Sequence, residues 1–165
     1  MKKNPFKTAE QQGHYEALRP VTAEEILAMA RTLIKRRFAR GKALTSPAAA
    51  REFLMLNLAE LEHETFCCLF LDNQHRILTF EPLFRGTVDG STVHPREVVK
   101  RALQLNASAL IFAHNHPSGA AEASEADRCI TRKLIDALRL VEVRVLDHFI
   151  VGGDEVLSFA ERGLL

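Results

Sequence analysis

The chain has 165 residues, 47% of them hydrophobic and 26% charged, which suits one domain with its own core and a small appendage. A net charge of +1 excludes a uniformly basic nucleic-acid binder, although charge can still gather locally. The odd count of cysteines (Cys67, Cys68 and Cys129) fits no disulfide framework, no apolar run approaches a bilayer span and the N-terminus has no signal-type region, so reduced core thiols and a cytoplasmic location are expected.

Residues 1–20 are polar, lack periodicity and are interrupted by Pro5, Gly13 and Pro20, which predicts a flexible arm. Thr22 and Glu25 then form a capping box for an amphipathic helix over 21–42, with Ile26, Met29, Ala30, Leu33, Ile34 and Phe38 or Arg37 in step. Arg31, Lys35, Arg36, Arg37, Arg40 and Lys42 gather on its distal half. Cations near a helix C-terminus suit the dipole, and they could also contact phosphates.

Ser46 and Pro47 start a second helix, with Phe53, Leu54, Leu58 and Leu61 as its buried face. TFCCLFL (65–71) reads as a buried strand, Asp72 to His75 as a hairpin turn, and RILTFEPLF (76–84) as the partner, with Pro82 marking an edge or an end. After the turn-rich GTVDGS, His94 and Pro95 open a helix with Val98, Val99, Ala102, Leu103 and Leu105 or Ala107 facing inward. His94 reads as its cap rather than a ligand. A strand over ASALIFA follows, then a helix from Ser124 to about Leu140 burying Ile130, Leu134, Ala137 and Leu138. VEVRVLDHFIV (141–151), a Gly152-Gly153 turn and VLSFA close the chain. This order predicts an α/β fold, a mixed β-sheet flanked by helices.

Chemistry concentrates in AHNHPSGAAEASEAD, residues 113–127. His114 and His116 are two apart at the end of a strand, so both imidazoles point to one face and can share a cation. Asp127 can return from the next helix as an oxygen ligand. Two histidines and one carboxylate leave a tetrahedral zinc with an open position, the mark of a hydrolytic rather than a structural site. A lone His-x-His is more often a pair of ordinary strand-end residues, and Ser124 with Asp127 also reads as an N-cap with an acid in the first turn. The full pattern His-x-His-x7-Ser-x2-Asp should arise by chance in well under ~1% of chains this long, and capping can coexist with ligation.

These residues resemble the JAMM/MPN metal site. The longer text PLFRGTVDGSTVHPREVVKRAL, AHNHPSG, Ser124 to Asp127, LDHFIVGG and SFAERGLL resembles the RadC family over roughly residues 43–165. The resemblance implies a JAMM fold related to the cytidine deaminase architecture and one zinc ion per chain held by His114, His116 and Asp127. It further implies that Ser124 stabilises an oxyanion and that a glutamate before the first sheet strand activates water. Glu64 occupies such a place, with Glu60, Glu62 and Glu81 as alternatives. AAEA stands where the family text has a loop with Asp and Pro, which could alter substrate fit while keeping the ligand spacing. The chain resembles the short form, without an N-terminal helix-hairpin-helix region.

The expected activity is therefore zinc-dependent hydrolysis of an amide, by a metallopeptidase or isopeptidase acting on a peptide or protein. A DNA repair or recombination accessory and a protein-binding scaffold are the alternatives, the first supported by the basic helix alone. Nucleoside deamination calls for Pro-Cys-x-x-Cys and His-x-Glu, and neither is present. His148, within LDHFIV, could be a partner to a ligand or a structural strand residue.

Overall fold

The computed structural model describes residues 5–11, 13–37, 39–44, 46–86 and 93–165. Phe38, the Lys35 side chain and all but the first residue of the predicted GTVDGS turn lie outside them. The chain forms two compact units, Met1–Arg37 and Phe38–Leu165.

The first unit departs from the expected arm. Strands β1 (Phe6–Thr8) and β2 (Tyr15–Ala17) pair antiparallel, Phe6 opposite Ala17, and Leu18 N donates to Pro5 O at 2.8 Å. Three-residue strands with exposed faces leave no alternating pattern to read. Helix α1 (Ala23–Arg37) begins at the predicted capping box: Thr22 N donates to Glu25 Oε2 at 3.1 Å, and Glu25 N to Thr22 Oγ1 at 3.3 Å. Of its predicted stripe, Ile34 is buried, whereas Ile26 is 52% exposed.

The second unit is a mixed sheet between helices. Helix α2 (Pro47–Leu58) is capped by Ser46, whose hydroxyl accepts from Ala49 N. Its buried face is Ala49, Ala50, Phe53, Leu54 and Leu58. Leu61, expected to extend that face, lies beyond the helix end and is 37% exposed. Strands β3 (Thr65–Leu71) and β4 (Ile77–Arg85) form the predicted hairpin, its turn held by Asp72 Oδ1, which accepts from Gln74 N and Arg76 N. Helix α3 (Pro95–Gln104) buries Val98 and Ala102, but Leu103 points outward. Strand β5 (Ala109–Asn115), helix α4 (Glu125–Arg139), strand β6 (Arg144–Gly152) and strand β7 (Glu155–Ser158) complete the unit.

The sheet order is β4-β3-β5-β6-β7, with β5 and β6 parallel and the other pairs antiparallel. Pro82 thus lies on an edge strand, where its missing N–H costs no ladder bond. Strand alternation divides the core. Phe66, Cys68, Phe70, Leu110 and Phe112 join Val98, Ala102, Leu134 and Leu138 in one cluster with α3 and α4. The intervening Cys67, Leu69, Ile111 and Ala113 belong to the opposite face. Cys67 and Cys68 are thus buried free thiols, and Cys129 is a partly buried one. His114, near the end of β5, and His116, one residue past it, continue the 110, 112 series on the α4 face. Among the described residues, no helix is long and apolar enough to cross a membrane.

Candidate metal centre

Both histidines leave the carboxyl end of the central strand, and α4 starts beside them, the usual ligand position in sheets with parallel strands. His116 N donates to Val151 O at 2.8 Å, so the pairing with β6 runs one residue past β5. Gly119, at φ +85°, turns the chain, its N–H returning to His116 O at 3.0 Å. Ser124 caps α4, so that Asp127 falls in the first turn, facing the strand end.

His114 Nε2 lies 3.0 Å from His116 Nε2 and 3.2 Å from Asp127 Oδ1. One ligand atom from each of the three residues lies within 4.8 Å of the others. Two nitrogens bound to a tetrahedral zinc at ordinary lengths stand about 3.3 Å apart, so this spacing fits such an ion. The donor set fits as well. His116 Nδ1 faces Ala120 O at 2.9 Å, a group that can only accept, so its proton sits there and Nε2 presents a lone pair. Asp127 is an acceptor throughout. Burial opposes its ionisation, but the His114 imidazole and the Ser124 hydroxyl and amide outweigh that and hold the carboxyl well below the usual range. Acceptors crowded this closely repel one another unless a proton or a cation lies among them.

Ser124 has a second tie to the site besides its cap. Its Oγ accepts from Asp127 N at 3.1 Å, while its own proton goes to Asp127 Oδ2 at 2.5 Å. The cap is therefore formed with Asp127 still facing the two histidines.

Behind His114 stands His148, wholly buried between Phe66, Phe112 and Phe159. Its Nε2 lies 2.9 Å from His114 Nδ1, and its Nδ1 lies 2.6 Å from Thr131 Oγ1. Burial first, and then the neighbouring His114, hold His148 well below the usual imidazole range, with Asp127 opposing. It is a neutral hydrogen-bonding partner of His114. Asp147, its neighbour, accepts from Ser158 Oγ at 2.6 Å and Ala160 N at 3.0 Å. These bonds tie β6 to the closing turn, which explains why LDH and SFAER belong to one motif text.

Glu64 is half-buried immediately before β3, at the same end of the sheet, for Phe66 pairs with His114. Asn115 fixes this segment from between the two histidines. Pointing to the opposite face, its amide donates to Leu61 O at 3.0 Å and His63 O at 3.1 Å, and its Oδ1 accepts from Thr65 N at 2.9 Å. The alternatives to Glu64 are placed differently. Glu60 and Glu62 are exposed, and both oxygens of Glu81 accept from Arg101. His94 occupies the N-cap position of α3, but without a side-chain cap bond; its ring sits edge-on to Phe84 at 6.0 Å.

Gly152 secures the loop that holds His116. A Cβ there would stand 2.5 Å from the backbone C of Ala120 and N of Ala121, closer than any side chain allows. Gly152→Ala must displace the Ala120 carbonyl from His116 Nδ1. The expected result is a destabilisation of about 1–3 kcal/mol, together with weaker capture, by about 10-fold or more, of any metal ion the cluster takes up, read by denaturant unfolding and by chelator competition. Wild-type values in both would show that the loop does not hold the ligand.

A mixed five-stranded sheet flanked by helices, with His-x-His at the end of its central strand and a carboxylate in the first turn of the next helix, defines a JAB/MPN-type domain with a possible metal site. The model of the RadC-like JAB domain matches residues 44–164, and the chain belongs to that family. It is 60% identical over 142 residues to a UPF0758 protein of Thioalkalivibrio sulfidiphilus, an alignment covering 86% of this chain and 63% of that protein. A UPF0758 protein of Nitrosococcus oceani is 59% identical over 139 residues, 84% of this chain and 62% of its own. One from Chromohalobacter salexigens is 64% identical over 126 residues, covering 76% and 56%. The chain thus spans less than two thirds of the length of these relatives.

Proposed function

We propose that the chain is a zinc-dependent amide hydrolase, a metallopeptidase or isopeptidase acting on a peptide or protein. The observation that carries this reading is the convergence of His114, His116 and Asp127, whose acceptor atoms face one another at cation spacing. These three would hold the ion. A zinc ion bound there supplies Lewis acidity, which makes water a nucleophile near neutral pH and polarises a carbonyl.

The remaining work falls to the chain's own groups. Glu64 takes the proton from the attacking water and returns it to the leaving amine as the C–N bond breaks, so that one carboxylate acts first as base and then as acid. Ser124 Oγ–H donates to the developing oxyanion. Its proton now rests on Asp127 Oδ2, so this role requires the hydroxyl to rotate away from the carboxylate when substrate binds. Asn115 keeps the Glu64 segment against the end of β5 through its bonds to residues 61, 63 and 65.

The reading is tested with zinc-loaded protein and a panel of fluorogenic peptide and lysine-isopeptide substrates. Amine release is expected from at least one class, lost on chelation and restored by added zinc. Zinc-loaded protein inert across both classes would contradict it, and would favour the scaffold role.

A further inference from the structure

The two ligand imidazoles are held differently on the side away from the carboxylate. The outer nitrogen of His116 faces a carbonyl, which fixes its tautomer directly. The outer nitrogen of His114 faces another imidazole, His148 Nε2, which can either give or take a proton. That pair alone leaves both tautomers of His114 open, and only one of them directs a lone pair toward Asp127 and His116.

The choice is made two hydrogen bonds away. Thr131 Oγ1 lies 2.6 Å from Asp127 O and 2.6 Å from His148 Nδ1. The carbonyl can only accept, so it takes the hydroxyl's single proton, and Thr131 Oγ1 is left to accept from His148 Nδ1–H. His148 Nε2 is then an acceptor and His114 Nδ1 carries the proton that meets it, which leaves His114 Nε2, 3.2 Å from Asp127 Oδ1, as the nitrogen open to a cation. Thr131 and His148 are each 0% exposed and His114 is 1% exposed, so bulk water does not reach the chain of bonds to replace a missing member. Thr131 sits one turn after Asp127 on α4, so one helix carries both the ligand carboxylate and the hydroxyl that orients the ligand imidazole.

We propose that Thr131 is a positioning residue which, through His148, sets the tautomer of His114 so that its Nε2 is the metal-binding nitrogen. The consequence for zinc rests on the metal-centre reading above; the tautomer itself does not. Thr131→Val keeps the shape and removes the hydroxyl. His148 Nδ1–H would then lack an acceptor in an apolar surround, and the lower-energy arrangement places that proton on Nε2. From there it donates to His114 Nδ1 and moves the proton of His114 to Nε2, the wrong nitrogen. Thr131→Ser retains the hydroxyl and the wild-type pattern, while Thr131→Ala serves as a second variant without it.

Two readouts of the full chain decide the matter. Two-bond proton–nitrogen spectra of metal-stripped protein at about pH 8.5 should show a proton on Nδ1 of both His148 and His114 in wild type and Thr131→Ser, with or without a second His114 proton on Nε2 facing Asp127 Oδ1. The valine and alanine variants should show the His148 proton moved to Nε2 and His114 Nδ1 without a proton. Zinc affinity, by chelator competition, should fall about 10- to 100-fold in the valine and alanine variants and stay near wild type in the serine variant. A His114 Nδ1 proton retained in Thr131→Val, none there in wild type, or a serine variant as weak as the valine one would overturn the proposal. Wild-type protein that binds no zinc, while the spectra follow the expected series, would contradict the metal reading and still support the role of Thr131 in the tautomer.

Discussion

His114→Ala is expected to reduce bound zinc from about one ion per chain to essentially none, and to abolish any metal-dependent hydrolysis. The residue is the most buried of the three, and its loss leaves His116 Nε2 and Asp127 Oδ2, 3.8 Å apart, as a two-ligand site. Two protein ligands do not hold zinc against water and chelators. The variant also empties space beside Phe66 and leaves His148 Nε2 without its partner, so a stability loss of about 2–4 kcal/mol should accompany it. His116→Ala separates the two effects. Its side chain is 20% exposed and its outer bond is to a loop carbonyl, so it should lose the metal at a smaller cost in stability. Elemental analysis and thermal melting of both variants check this; a His114→Ala protein retaining wild-type zinc would remove that residue from the site.

Glu64→Gln is expected to keep the zinc and lower turnover by about 10²–10⁴-fold, the usual contribution of a positioned general base. The change is nearly isosteric and lies outside the His114, His116 and Asp127 triad, so neither fold nor metal should suffer. Glu81→Gln is the matching control. Its carboxylate is held low by the Arg101 hydrogen bonds, against some burial, and removing it should cost a little stability and no turnover. Steady-state kinetics on whichever amide substrate is cleaved, with zinc content measured on the same samples, provide the check. A fully active Glu64→Gln protein would transfer the role elsewhere.

The parts of this molecule that were legible in advance are those fixed by local chemistry. Ser46-Pro47 and Ser124 with Asp127 mark helix starts because a cap needs only the next turn. His114 and His116 share a face because strand alternation has a period of two. The hairpin at Asp72 announces itself by turn residues. What stayed hidden depends on register between distant segments. His148 is opposite Phe112 in the β5–β6 ladder, and only that pairing brings it behind His114. Thr131 belongs to no motif and to no predicted apolar stripe, yet it is fully buried, its hydroxyl satisfied by two partners. Asn115, between the histidines, gave no sign that its amide would bind a segment fifty residues earlier. Leu61 and Leu103 continue helical spacing in the sequence and are nonetheless exposed, since periodicity does not report where a helix ends or how wide its covered face is. The pairing of β1 with β2 was missed because short exposed strands carry little hydrophobic signal.

The central claim is that three acceptor atoms at the end of β5 and the start of α4 form a metal site. Calorimetric titration of zinc into metal-stripped wild-type protein tests it most directly. The account predicts saturation at about one ion per chain with a matching rise in thermal stability. No heat of binding and no change in melting on zinc addition would contradict it.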